Sequence, residues 1–159
     1  MRGRKDLKGK PIMKAKHILY WTTTSLIALE TFAGGVMDLT HGRTNVFSGP
    51  TVVEVVTSLG YPVYVLVILG IWKIPGAITL VVPGFLRLKE WAYAGLVFEL
   101  SGAAGSQAIR GQPKDIIASL VLLALALFSW ALRPPHRILG GALTATTHRH
   151  TAVTRSHSL

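Results

Sequence analysis

A lysine at position 73 stands in a stretch of chain that is otherwise built to avoid charge. Val63–Trp72 before it and Ile74–Val82 after it are almost wholly apolar. A charge in the middle of a membrane-length segment costs about 2.5–3.5 kcal/mol on insertion scales, so such a residue is retained where something inside the protein neutralises or uses it. Two carboxylates, Glu30 and Glu99, interrupt two other apolar stretches. At 1.5 Å per helical residue, Glu30, Lys73 and Glu99 lie about 19, 13 and 12 Å from the inner ends of their segments. All three thus fall near the midplane of a hydrocarbon core about 30 Å thick. Ionisable groups at that depth usually face the bundle interior and pair with one another. The trio reads either as a polar cavity or proton-linked site, or as a structural ion pair of Lys73 with Glu99 or Glu30 that fixes helix register. Two carboxylates against one ammonium leave a negative charge that a proton could neutralise. Pro75 and Gly76 follow Lys73 directly. Proline removes the hydrogen bond to the carbonyl of Ile71, so a kink is expected there.

The elements that must position these residues are membrane-length helices. Half of the 159 residues are hydrophobic, 15% are charged, and the mean hydropathy is +0.44. Segments of about 20 apolar residues suffice to cross a bilayer. Four are expected: His17–Met37, Tyr61–Val82, Trp91–Ile109 and Asp115–Leu132. Pro50–Leu59 is too short to cross. Its valines and Leu59 cover one side, with Glu54, Thr57 and Ser58 on the other, as in a short interfacial helix between the first and second spans. The fold class expected is an all-α membrane protein, a four-transmembrane-helix bundle. Residues 1–16 read as a basic cytoplasmic tail, 17–135 as the membrane domain and 136–159 as a disordered basic cytoplasmic tail. Met13-Lys14-Ala15-Lys16 is a sufficient basic start, so residues 1–12 read as an extension. A cleaved signal peptide ending near Ala33 is the lesser reading, because it would discard Glu30.

Orientation follows from charge. Of the 17 Lys and Arg residues, thirteen lie on the side of the termini and three, Arg43, Arg110 and Lys114, on the other. That asymmetry places both termini in the cytoplasm of a bacterial plasma membrane. Tyr20, Trp21, Trp91, Tyr93 and Trp130 read as an inner aromatic belt, and Tyr61 and Tyr64 as an outer one. The net charge of +10 therefore reflects basic flanks and not a nucleic-acid partner. The residues Ser101–Ser106 are all small, as in close helix packing within the chain.

Much chemistry is excluded. There is no cysteine, hence no disulfide, thiolate metal site or thiol redox step. The histidines show no i, i+4 pair within a span, so no metal is expected. Hydrolase, nucleotide-binding and Rossmann motifs are absent, and the chain does not read as a stand-alone enzyme.

Several strings together resemble the DoxX-like family of small bacterial membrane proteins. They are Leu19-Tyr20-Trp21-Thr22-Thr23-Thr24, Leu69-Gly70-Ile71-Trp72-Lys73, Leu88-Lys89-Glu90-Trp91-Ala92-Tyr93-Ala94-Gly95, Phe98-Glu99-Leu100-Ser101-Gly102-Ala103 and Ala131-Leu132-Arg133-Pro134-Pro135. The resemblance covers about residues 14–135 and implies a four-helix membrane bundle. Lys73, Glu90 and Glu99 match polar positions of that family, and no catalytic residue is implied. The wider relatives include a subunit of a thiosulfate:quinone oxidoreductase and membrane partners of redox complexes. That resemblance, taken with the central charged trio, points to an accessory subunit that binds a small molecule, a quinone or lipid, in contact with redox-complex subunits; association with further copies of the chain is a separate expectation. The alternatives are a proton-coupled small-solute transporter using Glu30 or Glu99, and an assembly factor whose charged trio is structural.

Overall fold

The computed structural model describes residues 6–42 and 49–134, with side chains from Ala15 onward. Every regular element among them is helical: α1 (Asp6–Leu39), α2 (Val52–Ser58), α3 (Tyr64–Val81), α4 (Leu86–Ile109) and α5 (Pro113–Ala131). Helix α1 begins at Asp6, so helical backbone runs into the basic segment. Residues 1–5 and the tail 136–159 lie outside the described residues.

The inward stripes are regular and partly polar. In α1 the buried stripe runs through Tyr20, Thr24, Ile27, Thr31, Gly35 and Asp38, flanked by buried Thr23, Ala28 and Met37; in α4 the buried positions are Lys89, Tyr93, Leu96, Leu100, Ala104 and Gln107. Both follow the alternating three- and four-residue spacing of one helix face. Two of the buried threonines are satisfied within their own helix: the Thr31 hydroxyl donates to the Ile27 carbonyl at 2.7 Å and Thr23 to Leu19 at 2.8 Å. Large apolar side chains instead cover the outside. Leu29, Trp72, Phe98, Ile117 and Val121 are among those at least 60% exposed. A soluble monomer rarely shows so extensive an apolar surface. In lipid there is no such penalty, and helices associate through small and polar contacts.

By length and composition alone, α3 and α5 qualify as membrane crossings. The expected four spans are not all reached by that measure. Helices α1 and α4 are long enough, at 34 and 24 residues, but carry the polar stripes just described together with Glu30, Glu90 and Glu99.

Helix α1 packs most extensively on α3, and α4 on α5, while the α3–α4 seam is much smaller. Glycine sets the first of these contacts. A Cβ on Gly70 would lie 2.8 Å from the Gly35 carbonyl oxygen and 2.6 Å from Leu39 Cγ, so only glycine lets the two backbones touch. The Ser101–Ser106 run behaves otherwise: a Cβ at Gly102 or Gly105 would meet nothing within 4 Å. The close packing expected of those two glycines is not found: no neighbouring atom approaches either, and Gly102 borders the central cavity.

The turn between α3 and α4 carries two left-handed residues, Gly84 (φ 84°) and Phe85 (φ 48°). It folds Lys89 back beneath α3. The Lys89 ammonium is fully buried and donates to the carbonyls of Thr79, Leu80 and Val82. A cation there satisfies the carbonyls that a helix end leaves unpaired and complements the helix dipole. Lys89 is thus a cap on the end of α3.

Candidate functional site

The core of Ile27, Leu80, Tyr93 and Leu96 fills the half of the bundle away from α2. The other half holds a cavity of 480 Å³ that is partly open to the surface beside the exposed Phe98. Val52, Val55 and Val56 of α2 and its C-cap Leu59 roof it, Leu66, Leu69, Leu100 and Leu122 wall it, and Glu30, Asp38, Lys73 and Glu99 bring charge to it. Helix α2 is held by a capping box in which Thr51 Oγ1 accepts from the Glu54 amide at 3.2 Å and Glu54 accepts from the Thr51 amide at 2.7 Å. Its far end is tied across the bundle. Arg110 Nε donates to the Leu59 carbonyl at 3.1 Å, Gln112 Nε2 donates to Ser58 Oγ at 3.1 Å, and the Tyr61 and Ser106 hydroxyls share a 2.7 Å bond. Gly60 (φ 86°) makes the approach of Arg110 possible, since any Cβ there would collide with the guanidinium.

At the centre, the Lys73 ammonium lies 2.8 Å from Asp38 Oδ2 and 2.7 Å from Glu99 Oε1. It therefore bridges α1 and α4 from α3. The trio expected from sequence is only partly assembled. Lys73 and Glu99 pair; Glu30 lines the same cavity but forms no ion pair among the described residues. The second partner is Asp38, which lies one residue past the expected end of the first span. The stripe spacing could have found it, because Asp38 is seven residues beyond Thr31 on the buried face of α1. Three carboxyls thus meet one ammonium. Pro75 and Gly76 lie inside a continuous α3, and the Pro75 carbonyl accepts from the Thr79 hydroxyl at 2.7 Å.

A second polar cluster closes the opposite end. Arg133 binds Glu90 through two bonds of 2.7 and 3.2 Å, Trp130 Nε1 donates to Glu90 at 3.1 Å, and the guanidinium lies 5.2 Å from the ring centres of both Tyr93 and Trp130. The Arg133 hydrogen bonds hold the Glu90 carboxyl below the usual carboxylate range. Deeper in, Ser129 Oγ lies 2.8 Å from the Tyr93 hydroxyl and 2.7 Å from that of Thr24. Tyr20 and Tyr93 therefore face the interior and are not part of an aromatic belt; Trp91, Trp130, Tyr61 and Tyr64 are exposed. The Thr24–Ser129 bond and the buried Ile27 make α1 integral to the bundle, as a cleaved leader would not be.

The model of the DoxX-like family matches residues 22–129, spanning α2 and all four carboxyl and ammonium groups of the cavity. The chain belongs to the DoxX-like family. Comparison with curated proteins and with solved structures gave no match. Membership identifies this DoxX-like chain as a membrane protein and accounts for its apolar exterior. Arg133 lies outside the matched segment, so the clamp on Glu90 joins a residue of the family region to one beyond it. Among the described residues no three His, Asp or Glu side chains are arranged to hold a metal ion.

Proposed function

We propose that this DoxX-like protein crosses a bacterial plasma membrane four times, with both termini cytoplasmic. We further propose that it holds a membrane-borne small molecule, a quinone or lipid, as an accessory subunit of a redox complex. The observation that carries the binding role is the 480 Å³ cavity. Small-molecule sites commonly enclose about 300–1,000 Å³ within mostly apolar walls, with a few convergent polar groups to orient the ligand. Here valine and leucine walls suit an apolar body, and Lys73, Asp38 and Glu99 offer donors and acceptors to a polar head. The redox setting comes from the family resemblance and not from the site. Organic extracts of the protein purified from native membranes test the binding role. A stoichiometric quinone or lipid, lost when Ser119→Trp fills the cavity, supports it; an extract no richer than that of the filled variant refutes it. Reporter fusions at Asn45 and Thr146 test the topology, and must read periplasmic and cytoplasmic respectively.

A second reading has its own observation. Glu30 is a third carboxyl beside a single ammonium already engaged by two others. A proton exchanged at Glu30 would suit a proton-coupled solute carrier. Proton uptake by protein-loaded liposomes, abolished in Glu30→Gln, would favour transport over static binding.

A further inference from the structure

The cavity has a second wall to consider, on the side of the α3–α4 seam. A smaller cavity of 170 Å³ lies in that seam, lined by Trp72 and Gly76 of α3 and by Ala92 and Gly95 of α4. Trp72 is 74% exposed, so this groove opens on the lipid-facing surface. The small side chains make it: a Cβ at Gly76 or Gly95 would meet nothing within 4 Å. Leu69, Lys73 and Glu99 line both cavities. The Lys73–Glu99 bridge therefore stands between the groove and the central chamber.

We propose that the α3–α4 groove is a lateral doorway through which an amphiphile already dissolved in the bilayer reaches the central cavity, with the Lys73–Glu99 bridge as its latch. This rests on the binding role proposed above and specifies its ligand class as membrane-dissolved, in contrast to a water-soluble solute. Three features support the assignment. The α3–α4 seam is far less extensive than the α1–α3 contact and comparable to the α1–α5 one, whereas Gly35 and Gly70 lock α1 to α3. The water side is strapped by Arg110, Gln112 and Tyr61 onto α2 and its exit. Finally, opening the latch need not strand the lysine. Asp38 stays on Lys73 at 2.8 Å from the α1 side, while Glu99, the more exposed of the two carboxylates at 24% against 5%, moves with α4. Removing both partners of a buried charge is costly; releasing one of two is far less so.

The absence of native cysteine permits a direct test on the full chain in liposomes. A single cysteine at Leu122, on the cavity wall contributed by α5, is treated with benzyl methanethiosulfonate, which partitions into the bilayer. Parallel samples receive charged methanethiosulfonates of either sign, which stay in water. The doorway predicts labelling by the apolar reagent, slowed roughly tenfold by Gly76→Leu with Gly95→Leu, and accelerated by Glu99→Gln. Equal labelling by charged and apolar reagents, with no effect of the two leucines, would place access at the α2 roof and overturn the proposal. Absence of labelling in every variant would overturn it as well. Val65→Cys, on α3, serves as a second reporter should Leu122→Cys fail to remain monodisperse. These reagents need no natural ligand, so the doorway can fail while the extract still yields a bound amphiphile, or stand while it does not.

Discussion

Replacing Lys73 with methionine removes the ammonium while keeping a side chain of similar length. Two carboxylates then lose their counter-ion together: Asp38 at 5% exposure and Glu99 at 24%. Breaking a buried pair from one side typically costs about 3–5 kcal/mol, because the remaining charge is uncompensated. Lys73→Met should therefore lower stability by about that much, read by denaturant titration in mixed micelles followed by circular dichroism. Second changes should restore stability in a definite order. Lys73→Met with Asp38→Asn should recover most, since the carboxylate sealed deepest is the most expensive to leave unpaired. Glu99→Gln should recover less, because that side chain still reaches the groove. Glu30→Gln should recover least, having no ion pair to lose. Coupling between residues in one network runs to about 0.5–3 kcal/mol, well above the scatter of independent sites. A rescue greatest with Glu30→Gln, or a Lys73→Met variant as stable as the parent, would refute the geometry. The doubly substituted protein also separates two roles. If the cluster is only structural, it regains its bound amphiphile along with stability; if it orients a ligand, stability returns without the ligand.

Gly70→Ala should destabilise by about 1–3 kcal/mol, the usual range for overpacking, because the Gly35 carbonyl 2.8 Å from the new Cβ is backbone and cannot turn aside; Gly95→Ala, measured in the same micelles, should be neutral or better. Lys89→Met removes the donor to three carbonyls at the end of α3 and should cost about 1.5–3 kcal/mol, the scale of a hydrogen bond to a charged group, with exchange of the α3 C-terminal amides rising first. The Glu90–Arg133 clamp should be acid-sensitive. Its carboxyl lies below the ordinary value when folded, so its contribution is present above the unfolded carboxylate range and is lost as pH falls through the lowered folded value; thermal unfolding across that range should show a slope that Glu90→Gln removes.

The helices were readable because each apolar run is long and bounded by charge or by proline and glycine, and the short helix α2 because its valines and Leu59 fall opposite Glu54, Thr57 and Ser58. Lys73 and Glu99 were readable as charges out of place. Asp38 was not, since a span bounded by hydropathy stops at Met37, whereas the helix and its buried stripe continue for another turn. The inward tyrosines were missed for a related reason: Tyr20 and Tyr93 sit at belt depth, and depth alone does not say which way a ring faces. The buried role of Lys89 depends on the reversal at Gly84 and Phe85, and nothing in a linear reading folds residue 89 back onto residues 79–82. The small-residue run misled because the same composition serves a tight crossing at Gly35 and Gly70 and open space at Gly102, which borders the cavity, and at Gly105.

Where an ion pair sits in a membrane bundle also bears on what it is for. Between α1 and α3 the backbones touch at glycine, and dispersion across that crossing acts only at contact, so the pair moves as one body or breaks. Lys73–Asp38 lies within that body and changes little in any opening of the bundle. Lys73–Glu99 instead spans a lightly packed seam in which glycines leave a groove. An ionic contact tolerates displacement better than interdigitated packing does, because Coulomb attraction declines slowly with distance. A charge pair is thus the kind of contact that can hold a seam closed and still let it part. The same lysine joins both contacts, fixed on one side and releasable on the other, and this asymmetry between Asp38 and Glu99 is what a rigid four-helix scaffold requires if its interior is to be reached from the bilayer.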